Sequence, residues 1–222
     1  MALAYALRLL PGVDARTHAS GAQVAFRFNS FIALALAERL QGAQGVAWAA
    51  LLIALCVPIC NVAAVWPLAW HGDKSYWREL ARNPLIIATV AGLLANVAGL
   101  RLPEPAALTL HRIGLAALPV GLMAVGAGLR FGALKDAPKL ALALLSIRHA
   151  ALPLIALGLA ALLDLPPAQR ALLLMFAALP TASSAYVLAA RMGGNSAFVA
   201  GLVTLSTLIG MVTVPLWLLA LA

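Results

Sequence analysis

The sequence predicts an all-α membrane protein with about seven transmembrane helices. Hydrophobic residues make up 64% of its 222 residues and charged residues only 10%, whereas a soluble domain carries about 25% charged residues. The mean hydropathy is +1.00, so we expect the lipid bilayer to surround the chain. The net charge of +8 does not predict a nucleic-acid partner, because the basic residues punctuate apolar segments as topology signals do.

Six apolar segments reach or approach the ~20 residues that a helix needs to cross a bilayer. They run over residues 46–70, 84–100, 113–129, 140–163, 171–190 and 196–221. A seventh segment, 26–40, is short, because its uncharged run covers only residues 28–37. The connectors between the segments are short and polar, so we expect no second, soluble domain.

Basic residues predict the orientation of these helices. Helices joined by short loops alternate in direction, which places nine Lys and Arg on one face and four on the other. The nine are Arg8, Arg16, Lys74, Arg78, Arg82, Arg130, Lys135, Lys139 and Arg191, and the four are Arg39, Arg101, Arg112 and Arg170. Because the excess marks the cytoplasmic side, we expect a cytoplasmic loop at 71–83 and an external C-terminus.

The two cysteines, Cys56 and Cys60, lie one helical turn apart in one apolar segment. Such a pair could bind metal or act in redox chemistry, but no His or carboxylate lies nearby to complete a site. Buried free cysteine commonly packs as a small apolar residue. We expect that role here, with no metal and no cofactor.

An internal repeat relates two parts of the chain. A shift of 152 residues places FNSFIALALAERLQG, residues 28–42, over PTASSAYVLAARMGG, residues 180–194, and a long apolar segment follows each copy. By the charge count, the two copies cross the membrane in opposite directions, and inverted repeats are typical of secondary transporters. We therefore divide the chain into a partial first repeat, 1–82, and a complete second repeat of five helices, 83–222.

The repeat also predicts that the first half is incomplete. Five helices follow the central loop and two precede it, so three helices have no counterpart, and the opening MALAYALRLLPG resembles the end of the third. We expect an open flank beside residues 24–70, with small and polar residues on it near Asn29 and Asn61. Pairing with a second copy would cover such a flank.

Two interrupted segments, 24–40 and 171–190, predict a substrate site. Pro180 breaks the second segment, because proline removes a backbone donor, and freed backbone groups in lipid are tolerated where they line a cavity. A half-helix N-terminus suits an anion. The candidate residues at the two breaks are Arg27, Asn29, Pro180, Thr181, Ser183 and Ser184. We expect Asn29 and Pro180 to approach each other near mid-membrane.

Each of these features also has a structural interpretation. Pro180 could mark a kink packed against a neighbouring helix, and Arg27 could reach the lipid headgroups. Asn61 is a candidate site group or an interhelical hydrogen-bonding residue. Arg148 and His149 precede only fourteen apolar residues, 150–163, so they must enter the bilayer or distort it. Ionisable groups there are functional candidates, here for coupling or charge, although Arg148 could reach the interface.

The distribution of carboxylates indicates the sign of the substrate. All seven, Asp14, Glu38, Asp73, Glu79, Glu104, Asp136 and Asp164, fall in loops or at helix ends. A cation carrier needs a buried acidic residue, whereas the deep polar groups here are Arg, His, Asn, Ser and Thr. We therefore expect a carboxylate substrate. No Ser–His–Asp or metal-ligand arrangement is present in the sequence, so we do not expect an enzyme.

Five stretches resemble the auxin efflux carrier family over about residues 20–220: FRFNSFIALALAERL, VPICNVAAVW, NPLII, IGLAALPVGLMAVGAGLR and ALPTASSAYVLAARMGG. The resemblance implies ten helices in two inverted five-helix repeats, with 26–40 as the fourth helix and 171–190 as the ninth, crossing at broken points. It implies transport of small organic acids, such as dicarboxylates or indole acids, across a bacterial inner membrane, with proton coupling as an option. The three unmatched helices are the departure from the family pattern.

Two other functions remain open at the level of sequence. A bile-acid-type symporter would be sodium-dependent and would need more Asn, Gln and acidic ligands. A non-transporting subunit or truncated product would explain the unmatched helices, and an in-frame continuation upstream of Met1 would distinguish it.

Overall fold

The computed structural model describes residues 1–70, 81–82, 84–127 and 134–220, and it is helical almost throughout. The α-helices are α1 (Ala2–Ala6), α2 (Ala15–Ala22), α3 (Ser30–Trp70), α4 (Pro84–Val97), α5 (Glu104–Ala127), α6 (Pro138–Ser146), α7 (Leu152–Leu162), α8 (Pro167–Ala178), α9 (Ser184–Arg191) and α10 (Ser196–Leu219). The predicted all-α class is confirmed. The predicted loop 71–83 lies outside the described residues, apart from 81 and 82.

Within the described residues, four helical stretches are long and apolar enough to cross a membrane: Ala15–Trp70, Glu104–Ala124, Pro138–Leu162 and Ser196–Leu219. A shorter apolar helix covers Ile86–Val97. The number differs from seven for three reasons: the first stretch contains two predicted segments, the predicted segment 84–100 forms only the shorter helix, and 171–190 forms two helices that are too short to count. The total of about seven spans and the inverted relation of the repeats stay predictions.

A turn at Gly42 divides α3 into two parts. Gly42 has φ 58° and ψ −144°, a conformation that glycine adopts readily and other residues do not. Gly45 follows it and lies so close to the Ala37 carbonyl that a side chain there would collide with it. The turn therefore separates residues 30–41 from residues 43–70, as the two predicted segments require.

Proline within α3 leaves a backbone carbonyl without its helical donor, because proline has no N–H. The carbonyl of Ala63 lies four residues before Pro67, and it accepts a hydrogen bond of 2.5 Å from the Tyr5 hydroxyl. The opening helix α1 is thereby attached to α3 at the carbonyl that Pro67 leaves without a helical donor.

The prediction that the first broken segment begins near residue 24 is wrong. A helix precedes the break: α2 starts after Asp14, which accepts a hydrogen bond from the Thr17 backbone N–H at 2.8 Å. This bond lowers the pKa of the Asp14 carboxyl. Hydropathy does not reveal α2 because it contains Thr17, His18 and Ser20, yet all three are buried and hydrogen-bonded within the protein.

The expectation of small and polar residues on the flank beside residues 24–70 is also wrong for Asn29, Asn61 and residues 48–70. Asn29 and Asn61 are buried, and the exposed face of residues 48–70 carries large apolar side chains, namely Trp48, Leu51, Leu55, Ile59, Val62, Trp66 and Trp70. Their spacing of three and four residues forms one stripe along the helix. Side chains of this kind suit contact with lipid.

The core lies where α2, α3, α6, α8, α9 and α10 pack together. Small residues allow the helices close contact, since Ala22, Ala64 and Ala185 are fully buried beside larger side chains such as Phe198 and Met175. Helices α4 and α5 pack on α3 and are mostly exposed elsewhere. Helix α5 begins nine residues before the predicted 113, because it incorporates the polar Glu104, His111 and Arg112.

Candidate functional site

The first broken segment interrupts the chain between α2 and α3. A 3₁₀ turn, Gln23–Ala25, ends the first half, and residues 26–29 are not helical. Asn29 then caps α3, since its side-chain oxygen accepts hydrogen bonds from the backbone N–H groups of Phe31 and Ile32 at 3.1 and 3.2 Å. Asparagine is a favoured N-cap because it satisfies donors that have no helical partner.

The second broken segment also consists of two helices separated by a non-helical stretch. Helix α8 ends at Ala178 and α9 begins at Ser184, with Pro180 between them. The Thr181 backbone N–H donates to Ser206 Oγ at 3.0 Å. The predicted interruption of 171–190 at Pro180 is therefore confirmed.

The two breaks meet. The Asn29 backbone N–H donates to the Pro180 carbonyl at 3.0 Å, so the predicted approach of these two residues is confirmed. On one side of this contact, the 3₁₀ turn that follows α2 is bonded to α9, since Gln23 Nε2 donates to the Ala185 carbonyl. On the other side, the first part of α3 lies beside α8, with Phe28 and Phe176 rings 4.4 Å apart and a hydrogen bond from Gln41 to the Ala168 carbonyl.

A cavity of about 530 Å³ opens beside the crossing. Five predicted residues line it: Arg27, Asn29, Asn61, Ser183 and Ser184. Pro180 and Thr181 lie at the crossing but outside the lining, where Thr181 is fully buried. The walls are mainly apolar and come from α3, α4, α5, α9 and α10, including Ile53, Val57 and Val203.

Arg27 places a buried positive charge at this cavity. The residue is 5% exposed; its Nη1 donates to Gln23 Oε1 at 2.7 Å and its Nη2 donates to Ser184 Oγ at 2.8 Å. Both partners are neutral, and within the described part of the chain no carboxylate pairs with the guanidinium. The alternative in which Arg27 extends to the headgroups does not fit this burial.

Two polar atoms at the cavity have no hydrogen-bond partner among the described residues. They are Asn61 Oδ1 and Ser183 Oγ, and Asn61 is only 1% exposed. An unpaired buried polar group costs about 1–3 kcal/mol. A ligand in the cavity would supply the missing partners.

Arg148 lies at the second break and outside the cavity lining. It is 2% exposed, and its Nε donates at 2.6 Å to the carbonyl of Leu179, the residue that follows α8. A cation at the C-terminal end of a helix interacts favourably with the helix dipole. Arg148 therefore satisfies a carbonyl at the break, and its Nη2 atom has no partner among the described residues.

His149 also lies at the second break. Its ring nitrogens lie 2.9 Å from Ser206 Oγ and 3.2 Å from Thr213 Oγ1. A π-helical turn, Ile147–Ala151, carries it. Because Pro153 has no N–H, the His149 carbonyl lacks a helical donor, and Trp217 Nε1 donates to it at 2.8 Å. This arrangement fixes His149 between α7 and α10.

The sequence prediction missed two residues of the site. Gln23, which contacts Arg27, falls in the polar stretch that did not predict a helix. Phe31 lines the cavity and packs on Gly121 of α5. A Cβ at Gly121 would lie 2.5 Å from the Phe31 ring, so only glycine allows this contact without a shift. In the sequence, the only indication of this contact was Gly121 itself, the glycine of VGL.

The fold and the site define a class of protein: a multi-pass helical membrane protein in which two interrupted segments cross beside a buried cation, as in many secondary transporters. The family model described as membrane transport protein matches residues 24–218. The chain therefore belongs to this family, that of the auxin efflux carriers, and is a membrane transporter. The resemblance seen in the sequence is thus confirmed. No curated protein matches the chain significantly.

Proposed function

We propose that this transporter carries small organic anions, which bind where the two broken segments cross, beside Asn29 and Pro180. The observation that supports this is Arg27, a buried guanidinium that lines the cavity without a carboxylate partner in the described residues. Removing an ion from water costs several kcal/mol even after the protein relaxes. In an anion-binding site this cost is offset, because the bound anion completes the ion pair.

The rest of the lining suits one carboxylate attached to an apolar body. Arg27 is the one charged side chain among the described residues that line the cavity. Ile53, Val57 and Phe31 offer apolar surface for the body of the substrate, while Asn61 and Ser183 offer unpaired polar atoms. A second carboxylate would lie against the apolar walls without a partner, at a high cost.

Solid-supported membrane currents from proteoliposomes test this function. Diffusion of a neutral acid carries no charge and is therefore silent in this measurement. We expect phenylacetate and hexanoate to give saturable currents, with half-saturating concentrations at least about tenfold below those of succinate and citrate, since an unpaired buried carboxylate costs more than 1.4 kcal/mol. Protein-free liposomes are the control. One proton carried with each monocarboxylate would make transport electroneutral, so uptake of radiolabelled phenylacetate is measured as well. Absence of both saturable current and saturable uptake, or currents with metal cations instead, would contradict the proposal.

We propose alternating access at this site, as in other carriers with crossing broken helices. The hydrogen bonds across the crossing join the 3₁₀ turn after α2 to α9 and the first part of α3 to α8. Each half-helix is therefore attached to a half-helix of the other segment. The crossing would move as one unit against the helices that complete the cavity wall, α4 and α5, which contribute Thr89 and Gly121.

The proposed location is the inner membrane of a bacterium, with loop 71–83 in the cytoplasm and the C-terminus outside. The excess of basic residues on one face supports this orientation. Alkaline phosphatase and green fluorescent protein fusions at Gly72 and after Ala222 are expected to report opposite compartments, with fluorescence at Gly72 and phosphatase activity at the C-terminus. Two fusions that report the same compartment would refute the orientation.

A further inference from the structure

Gln23 is a buried polar residue beside Arg27 at the crossing. It is 1% exposed, and its side-chain groups are all engaged. Its Nε2 donates to the Ser20 carbonyl at 3.1 Å and to the Ala185 carbonyl at 3.2 Å. Its Oε1 accepts the hydrogen bond from Arg27 at 2.7 Å.

These contacts fix the direction of the amide. Both protons of Nε2 go to backbone carbonyls, which accept but cannot donate, so the oxygen must face Arg27. The Ala185 carbonyl belongs to α9, whose first residue, Ser184, is the other partner of the guanidinium. Gln23 therefore holds Arg27 and also holds α9 in the position from which Ser184 binds it.

The chemistry of glutamine matters because its carboxylate analogue has the same shape. A glutamate at this position would form a charge-assisted pair with Arg27 and neutralise it. Among the described residues, the elements packed around the Gln23 turn carry a set of titratable or charged groups besides Arg27: Arg16, His18, Glu38, Arg39, Cys56, Cys60, Lys139, Arg148, His149, Tyr186 and Arg191. Glu38 is the one carboxylate of this set, and it is exposed and does not pair with Arg27, so the amide orients a cation whose charge remains available.

We propose that Gln23 is the positioning residue for the anion site: it orients Arg27 towards the cavity and, being neutral, leaves the guanidinium charge for the substrate. This inference rests on the proposed function. The inference extends the proposed function, because it assigns the affinity of the site to Gln23, which does not line the cavity and does not touch the anion.

Two variants of similar size separate this role from simple packing. With phenylacetate as the probe, Gln23→Glu is expected to raise the half-saturating concentration at least about tenfold, since an internal ion pair replaces the pair with substrate. Gln23→Met keeps the volume but lacks the hydrogen bonds, and it should raise the half-saturating concentration only about two- to fivefold. The larger effect should fall on the half-saturating concentration and the smaller one on the maximal current per inserted protein.

The same substitutions in an Arg27→Gln background test whether Gln23 acts through Arg27. We expect Gln23→Glu to cause no further loss there, because coupled residues show non-additive effects. An equal loss in both backgrounds, or a wild-type half-saturating concentration for Gln23→Glu, would overturn the proposal. If Gln23→Glu does not accumulate in membranes, Gln23→Met decides alone, and an unchanged half-saturating concentration overturns it.

The proposed function can be refuted independently of the role of Gln23. An Arg27→Gln variant with a wild-type response to phenylacetate would refute the anion site as such. An Arg27→Gln variant that is impaired, together with an unimpaired Gln23→Glu variant, would refute only the positioning role of Gln23.

Discussion

Replacing Arg27 by glutamine is expected to raise the half-saturating concentration of phenylacetate on the order of 100-fold. The guanidinium is the one charged group among the described residues that line the cavity, and a hydrogen bond to a charged group contributes about 1.5–3 kcal/mol. Loss of one or two such bonds corresponds to this factor, since about 1.4 kcal/mol is tenfold in affinity. Solid-supported membrane currents measure the change directly.

Two further substitutions test whether the loss of affinity is specific to the guanidinium of Arg27. Arg39→Gln removes the same charge from an exposed position on α3, and it is expected to leave the half-saturating concentration within about twofold, as screening of surface charges implies. Arg27→Lys should lie between wild type and Arg27→Gln, because lysine keeps the charge but not the planar fork of donors. Equal responses of the Arg27 and Arg39 variants would mean that the anion binds elsewhere.

The apolar parts of this fold were predictable because lipid imposes a length on them. Helix α10, Ser196–Leu219, lies within two residues of the predicted 196–221, since a helix must carry about 20 apolar residues to cross the bilayer. The break at Pro180 was predictable for a similar reason, because proline interrupts helical hydrogen bonding wherever it falls inside a long apolar segment.

Helix α2 could not be predicted from hydropathy, because its polar side chains are satisfied by distant parts of the chain. Asn195 Nδ2 donates to Thr17 Oγ1 at 3.1 Å, and its backbone N–H donates to Ser20 Oγ at 2.8 Å. These partners lie about 175 residues away in sequence. A local sequence pattern does not reveal contacts between such distant residues, so the sequence of α2 resembled a loop.

The candidate site was predicted in part. Pattern and repeat together indicated Arg27 and Asn29, which the structure places at the cavity. The same reasoning grouped Arg148 and His149 with them as ionisable residues in the bilayer, and the structure places both at the second break instead. Residue type indicates that a buried charge matters, whereas only the packing of the helices decides which space it faces.

The joint between the two broken segments depends on a pair of glycines after α9. Gly193 has φ 69°, which glycine adopts at low cost, and the N–H groups of Gly193 and Gly194 donate to the carbonyls of Ala190 and Ala189. This is the Schellman pattern of helix termination. Gly194 has a second role, because it packs directly against Ser20 of α2.

Gly194→Ala is therefore expected to destabilise the folded chain by about 1–3 kcal/mol, the usual cost of inserting a methyl group into a packed site. The added Cβ would collide with Ser20 Oγ and lie 3.1 Å from Leu68 Cδ2. Ser20 would have to move, and the hydrogen bond from the Asn195 N–H would be lost. The measurement is unfolding by sodium dodecyl sulfate in mixed micelles, followed by circular dichroism.

Gly158→Ala is the matched control for the same change. Gly158 lies within α7, and among the described residues no atom outside the adjacent helical backbone lies within 4 Å of the position that a Cβ would take there. Alanine favours a helix over glycine by about 0.5–1 kcal/mol, so this variant should be as stable as wild type or more stable. The two substitutions add the same methyl group and should shift stability in opposite directions. Equal stability of the two variants would mean that α2 and α9 are not packed against each other at Gly194, and that the hydrogen bonds from Asn195 do not hold the crossing together.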